Sequence, residues 1–122
     1  MNVAVRVHRQ YVMNANQREH WAVAGRKKRV LRDLGFATLK ARRVAPMERA
    51  SIQCFVRYPK LARRRDVHNL YPTAKHLIDG MVDAGLLPDD SDEYLIGPDM
   101  RKDPDPSRLA DWFVFTFHIE SF

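Results

Sequence analysis

Apolar residues that recur at every second position predict strands near both ends of the chain. Val3, Val5 and Val7 follow this period of two, which is typical of a half-buried strand. A second stretch, SIQCFVRY, is rich in β-branched and aromatic residues and is followed by Pro59, which cannot donate a sheet hydrogen bond. Near the carboxyl end, PDMRKDPDPSR has the composition of a polar loop. The predicted strands are residues 3–8, 51–58, 94–97 and 111–120.

A longer stretch, residues 15–42, has the residue spacing of a helix. Its apolar and small side chains recur at mostly three- and four-residue steps, which places them on one helical face. Asn14 or Asn16 is available as an N-cap, while Gly25 and Gly35 weaken the pattern. The residues of this face, which we expect to pack on the sheet, are Trp21, Ala24, Leu31, Leu34 and Thr38.

The second helix has the clearest pattern in the chain. We expect it to begin at Pro72 or Thr73 and to stop at Gly85, since proline favours the first turn and glycine the position after the last. Four strands and two helices in mixed order predict an α/β (α+β) fold, a single compact domain over residues 1–122 with a small mixed sheet packed against two main helices. The apolar face of this helix consists of Ala74, Leu77, Ile78, Met81 and Val82.

The composition agrees with one globular domain. The chain has 122 residues, of which 45% are hydrophobic, and this is enough for a single core. It has no apolar run of about 18 residues, and its amino terminus lacks the apolar segment of a signal peptide, so we expect a cytoplasmic protein. A single cysteine, Cys54, excludes an internal disulfide, and its apolar surroundings favour a buried thiol over a nucleophile.

Charge is distributed unevenly between the two halves of the chain. Residues 1–65 hold 17 Lys and Arg against 3 Asp and Glu, whereas residues 66–122 hold 4 against 12, which together give the net charge of +6. This asymmetry favours one surface that binds a polyanion, with nucleic acid as the natural partner, and another that gathers carboxylates. Arg18, Arg29 and Arg32 lie on the polar side of the first helix and could lie along DNA phosphates. A solvated basic face without a ligand is the alternative.

Carboxylates flank the second helix on both sides. Magnesium prefers oxygen ligands and retains several waters, so two or three carboxylates from different elements are enough to bind it. Asp79 and Asp83 lie on the polar side of the helix, and for them solvent exposure is the preferred interpretation over a ligand role. The candidate metal ligands from this pattern are Asp66, which precedes the helix, and Asp89 and Asp90, which follow it.

The segment RRRDVHN, followed by a helix that ends in DGMVDAGLLPDD, resembles the RusA-like family of Holliday junction resolvases, which are crossover junction endodeoxyribonucleases. The resemblance covers residues 63–90 and extends less specifically to NANQREHW. It implies a RusA-like fold and a homodimer that binds four-way DNA junctions and makes symmetric paired nicks with Mg²⁺. It also implies a role in DNA recombination and repair, in a bacterial or phage-infected cell.

Family roles transfer to this chain position by position. His68 stands where the family has its second aspartate, which would favour Mn²⁺ over Mg²⁺ if it is a ligand, and a plain loop histidine is the alternative. Asp79 or Asp99 could supply the missing carboxylate. The step from Asn69 to Asp79 is longer than in the family, so Lys75 matches the family's lysine in space rather than in register. The expected roles are metal binding by Asp66, Asp89, Asp90 and His68, catalysis by Asp66, Asp90 and Lys75, and DNA binding by Arg63, Arg64, Arg65 and Asn69 in addition to the first helix.

Two other functions remain open from the sequence. The chain could be a catalytically weak or inactive protein that binds DNA junctions or duplexes, because His68 removes one carboxylate. It could also be a general DNA-binding accessory protein. Aromatic residues at Tyr58, Trp112 and Phe113 could line a dimer interface, although a core position is expected for most of them.

Overall fold

The structure is a computed structural model that describes residues 1–60, 62 and 66–122. One face of its four-stranded sheet is buried against two helices, and the opposite face is exposed or half-exposed. The fold class predicted from the sequence is therefore confirmed. No helix in the described part of the chain is long and apolar enough to cross a membrane. The elements are β1 (Asn2–His8), α1 (Trp21–Arg42), β2 (Ala50–Arg57), α2 (Tyr71–Asp83), β3 (Leu95–Lys102) and β4 (Trp112–Ser121), with short 3₁₀ helices at Arg9–Tyr11 and Val67–Leu70.

The strand order β1-β4-β2-β3 makes the sheet mixed. β4 runs antiparallel to both β1 and β2, and Phe115 pairs with Val5 on one side and with Val56 on the other. These three side chains are buried, so the row forms part of the core. β2 and β3 are parallel and are joined through α2. This β2-α2-β3 crossover is the part of the fold that positions the carboxylates.

The third strand is longer than the sequence predicted. The residues after Pro98, expected to form a polar loop, continue β3 as far as Lys102. Met100 is buried while Asp99 and Arg101 are exposed, so a strand-like alternation was present in this polar stretch. β3 lies at the sheet edge, where charged side chains are common, and this explains why composition alone was misleading.

The first helix is shorter than predicted and begins at Trp21, not at residue 15. Its cap is His20, whose Nδ1 accepts a hydrogen bond of 3.1 Å from the backbone N–H of Ala22. Asn14 closes a turn by accepting the N–H of Asn16 at 2.8 Å, so neither asparagine caps the helix. The placement of Trp21 on the sheet-facing side is also wrong. The buried residues of α1 are Leu31, Gly35 and Leu39.

α1 and α2 cross with their backbones in contact at two glycines. A Cβ added to Gly35 would clash with the carbonyl group of Leu77, and one added to Gly80 would clash with the carbonyl group of Arg32. Glycine costs helix stability in isolation, and here its absent side chain permits the close approach. Of the two glycines that weakened the pattern of the first helix, Gly35 is thus a packing residue, and Gly80 has the same role on α2.

α2 ends where the sequence predicted. Gly85 has a positive φ of 98°, and its N–H donates to the carbonyl oxygen of Val82 at 2.9 Å. The N–H of Leu86 donates to Met81 at 3.1 Å, and the Leu86 side chain is buried. This is a Schellman ending, which reverses the chain and sends the following residues back along the helix.

The remaining expectations about core residues are also met. Cys54 is buried, and burial raises the pKa of its thiol well above the ordinary value, which leaves it protonated and poorly nucleophilic. Tyr58 and Phe113 belong to the core, whereas Trp112 remains partly exposed.

We expect Gly80→Ala to lower the free energy of unfolding by about 1–3 kcal/mol, because the added methyl group must force the two helix backbones apart. Gly25→Ala is the matched control, since a Cβ there meets no atom within 4 Å. That change should raise the free energy of unfolding by about 0.5–1 kcal/mol through backbone entropy. Urea denaturation followed by circular dichroism measures the free energy of unfolding of both variants. Equal changes in the two variants would contradict the close contact of the helix backbones at Gly80.

Candidate active site around Lys75

The loop after α2 brings its carboxylates back beside the start of the same helix. Lys75 lies in the first half of α2, and its Nζ forms a hydrogen bond with the carboxylate of Asp90, fifteen residues later in the chain. The reversal at Gly85 makes this contact possible because it directs the chain antiparallel to the helix. Two residues that the sequence assigned to catalysis are therefore in direct contact.

Asp79 completes this group, which we call the Lys75 cluster: Lys75, Asp79 and Asp90. The Lys75 Nζ also donates to Asp79 Oδ1 at 2.9 Å. The side chains of Lys75, Asp79 and Asp90 are only 29%, 18% and 32% exposed. The expectation that Asp79 is a solvated surface residue is therefore wrong. Oxygens from two carboxylates converge on one cationic atom in a partly buried position.

The ionisation states in this cluster support one another. The hydrogen bond from Lys75 is the largest cause that lowers the pKa of Asp90, to about 2. Burial acts to lower the pKa of Lys75, but its hydrogen bonds to Asp90 and Asp79 outweigh this and raise it above its ordinary value. At neutral pH the cluster therefore holds an ammonium group against an ionised Asp90.

α1 contributes Arg32 to the edge of the same site. Its guanidinium binds Asp83 through two hydrogen bonds, of which the Nη2–Oδ1 contact is 2.9 Å. Asp83 is the largest cause of the raised pKa of Arg32, and the charges of Asp79 and Asp90 add to it. The exposure expected for Asp83 is confirmed, although the residue is ion-paired. A cleft of about 460 Å³ follows the seam between the helices and is lined by Arg32, Asp79, Val82, Asp83, Pro88, Asp89 and Asp90.

Asp66 and His68 form a separate pair in the turn that precedes α2. The Asp66 carboxylate accepts the backbone N–H of His68 at 3.0 Å, and Nδ1 of the same histidine lies 2.9 Å away. The backbone bond is the larger cause of a lowered pKa at Asp66, and the ring contact is the second. Both side chains are mostly exposed. The hydrogen bonds that the structure describes for the Asp66 side chain therefore stay within its own turn and do not reach the Lys75 cluster.

The predicted DNA-binding residues fall into three groups. Arg63, Arg64 and Arg65 lie outside the described residues. Asn69 is half-buried, and its carbonyl oxygen accepts the N–H of Ala15 at 2.8 Å. Arg18 and Arg29 are exposed, as expected, but Arg18 precedes α1 and does not lie on the helix as the sequence predicted.

Thr73 anchors the segment before α1 to the start of α2. Its buried hydroxyl donates to the carbonyl oxygen of Met13 and accepts the N–H of the same residue, both at 2.8 Å. Both backbone groups of Met13 are thereby satisfied. The loop that leads to the basic helix is consequently held against the helix that carries Lys75.

The donor chemistry of the Lys75 cluster fits a hard divalent cation. Asp79 and Asp90 present converging carboxylate oxygens, and Asp89 lies beside them with its Oδ1 accepting the Asp90 N–H at 2.8 Å. Carboxylates with several retained waters are a usual Mg²⁺ environment. Among the residues described, no group of three or more His, Cys, Asp and Glu has the arrangement of a preformed metal site. The present arrangement instead has the Lys75 ammonium between the two carboxylates.

Two members of this site were not assigned to it with the others: Asp79 was named in the sequence analysis only as an alternative, and Asp83 only as an exposed residue. Asp79 lies four residues after Lys75 on the same helical face, so the signal was present but was interpreted as an exposed ion pair. The pairing of Asp83 with Arg32 joins residues 51 positions apart, and no local pattern indicates it.

No protein-family model matches this chain, and no curated protein sequence matches it either. The assignment of function therefore depends on the residues themselves and on their geometry.

We expect Lys75→Met to reduce the free energy of unfolding at neutral pH, because the two carboxylates then face each other without a cation. The folded pKa of Asp90, about 2, lies below its ordinary 3.8, so its ionised form stabilises the fold above pH 3.8 and this contribution disappears as the pH falls toward 2. The stability difference between wild type and variant should therefore shrink across that interval.

Urea denaturation at a series of pH values measures this difference. Lys60→Met, at an exposed position, is the matched control and should show no such dependence on pH. A stability difference for Lys75→Met that stays constant down to pH 2 would contradict the coupling of Lys75 to Asp90.

Proposed function

We propose that the chain is a metal-dependent endodeoxyribonuclease that cuts branched DNA, with a four-way junction as its preferred substrate. The observation that carries this proposal is the convergence of Asp79 and Asp90 on Lys75, at a cleft bordered by the basic helix α1. The resemblance of residues 63–90 to junction resolvases supports the reaction class. The geometry adds Asp79 to the residues expected from that resemblance.

Hydrolysis of a phosphodiester requires an attacking water and neutralisation of the charge that develops on the phosphoryl oxygens. Asp79, Asp89 and Asp90 would hold Mg²⁺ or Mn²⁺, which supplies Lewis-acid activation of water and of the leaving oxygen. The low pKa of Asp90 keeps its carboxylate ionised for this purpose at neutral pH. Lys75, which stays protonated, can offset negative charge on the phosphorus centre.

The basic residues would bind the rest of the substrate. Arg32 borders the cleft and presents a planar guanidinium, which suits phosphate oxygens. Arg18, which precedes α1, and Arg29, which lies on it, are exposed and could neutralise further phosphates. Since paired nicks on a two-fold junction require two sites related by symmetry, the proposal includes a homodimer.

A junction-binding protein with weak or no nuclease activity is the second candidate. The specific observation in its favour is that Asp66 pairs with His68 in an exposed turn and makes no described contact with the Lys75 cluster. Isothermal calorimetry with Mg²⁺ and Mn²⁺ separates the two candidates. The endonuclease requires metal binding that Asp90→Asn abolishes, whereas the binding protein requires tight junction binding without it.

We expect Asp79→Asn and Asp90→Asn each to lower the rate of junction cleavage by roughly 100-fold or more, because each removes a carboxylate ligand of the metal that would stabilise the charge on the reacting phosphate. A labelled synthetic four-way junction, incubated with each variant and each divalent metal, provides the measurement. Asp111→Asn is the matched control, since this exposed carboxylate pairs with Arg9 away from the cluster. Full activity in Asp79→Asn would remove this residue from the site.

A further inference from the structure

Trp21 is the most exposed large hydrophobic side chain in the described part of the chain, at 80%. Exposed tryptophan is costly, because its large apolar surface remains in contact with water. The other tryptophan, Trp112, is about half as exposed as Trp21, and its ring makes an edge contact with the ring of His8. Trp21 is therefore accessible to a partner outside the chain.

The backbone around Trp21 is held firmly. His20 caps the helix through the Ala22 N–H, and its ring lies 5.4 Å from the Trp21 ring, measured between centroids. Glu19 forms an ion pair of 2.8 Å with Lys27, and both side chains are largely buried. The indole is thus presented on a fixed helix start and not on a loose loop.

Trp21 begins a stripe along α1 that also contains Gly25, Lys28 and Arg32. The steps of four, three and four residues place all of them on one helical face. Lys28 and Arg32 are exposed, and a Cβ at Gly25 would meet no atom within 4 Å. The helix surface at Gly25, next to the indole, is therefore unobstructed, and the cations Lys28 and Arg32 follow it along the stripe.

The far end of the stripe reaches the candidate active site. Arg32 binds Asp83 at the cleft, and the charge of Lys28 is among the causes that lower the pKa of His76 on α2, after burial and against the opposing effect of Asp79. Eleven residues of helix separate Trp21 from Arg32, which corresponds to an axial distance of about 16 Å. The aromatic end and the carboxylate end are thus on one continuous surface.

The chemistry of this surface favours a nucleic-acid strand over a protein partner. The two cations complement phosphates, and an exposed aromatic ring beside a basic groove is the arrangement that stacks on bases of single strands. Bases within an intact duplex are already stacked on one another and are not accessible to the indole. The ring therefore fits a base that is unpaired, as in a single strand, or a base whose pair opens at a branch point.

We propose that Trp21 stacks on an unpaired base at the branch point, while Lys28 and Arg32 bind the phosphates between that base and the scissile bond. The inference rests on the proposed function and adds a contact that would position the branch point relative to the cleft.

The chain has two tryptophans, so single-tryptophan variants report on each position separately. In Trp112→Phe, fluorescence comes from Trp21 alone, and we expect it to be quenched by a four-way junction and by single-stranded DNA, but little by blunt duplex. In Trp21→Phe, Trp112 should remain unquenched by all three. Fluorescence anisotropy of labelled DNA, recorded without divalent metal, measures binding independently of the tryptophans.

Trp21→Ala should weaken junction binding by roughly 5- to 150-fold, which is the range for loss of one stacked base. Binding of blunt duplex should change little, because it depends on the cations. Lys28→Gln is the comparison variant, and it should weaken binding of both DNAs to a similar extent and flatten the salt dependence.

The outcomes separate this inference from the function on which it rests. If Trp21→Ala binds and cuts the junction normally, and the junction leaves the Trp21 fluorescence of Trp112→Phe unchanged, the stacking role is wrong and the nuclease proposal stands. If no DNA binds to the wild-type protein, both are wrong. If Trp21→Ala converts a dimer into a monomer in sedimentation while DNA leaves the fluorescence unchanged, Trp21 is a contact between two copies of the chain, and the inference is overturned.

Discussion

The close crossing of α1 and α2 is the constraint on which the site depends. Gly35 and Gly80 let the two backbones touch, and any side chain at either position would separate the helices. At this distance Arg32 reaches Asp83 with two hydrogen bonds, and its charge interacts with Asp79 and Asp90. The cleft of the candidate site lies along this crossing. Its width depends on the distance between the two helices, which the missing side chains of Gly35 and Gly80 allow to be short.

The basic and acidic halves of the chain meet where α1 packs against α2. The basic half of the sequence contributes α1, and the acidic half contributes α2 with the loop that follows it. Because the two helices pack directly against each other, cations and carboxylates face one another across the seam. Under the proposed function, the cations would bind a phosphate backbone and the carboxylates would hold a divalent cation. The partial burial of Lys75 and Asp90 strengthens their attraction, since less water screens it.

Two local contacts hold the Lys75 cluster in a fixed geometry. The Schellman ending at Gly85 returns the chain toward Lys75, and the Thr73 hydroxyl ties the start of α2 to Met13. Lys75 is therefore held between a fixed helix start and a fixed return loop. Under the proposed function both contacts would support catalysis indirectly, because catalytic groups need an orientation that their own contacts do not provide.

Local periodicity and turn chemistry were enough to predict the fold class, the second helix with its stop at Gly85, and the buried state of Cys54. Where the first helix begins, how far β3 extends, that Asp79 lies with Lys75 and that Trp21 faces solvent could not be predicted in this way. These features depend on which elements lie side by side. Helical spacing shows that residues share a face, but only the packing of α1 against α2 determines which face is covered and which charges meet.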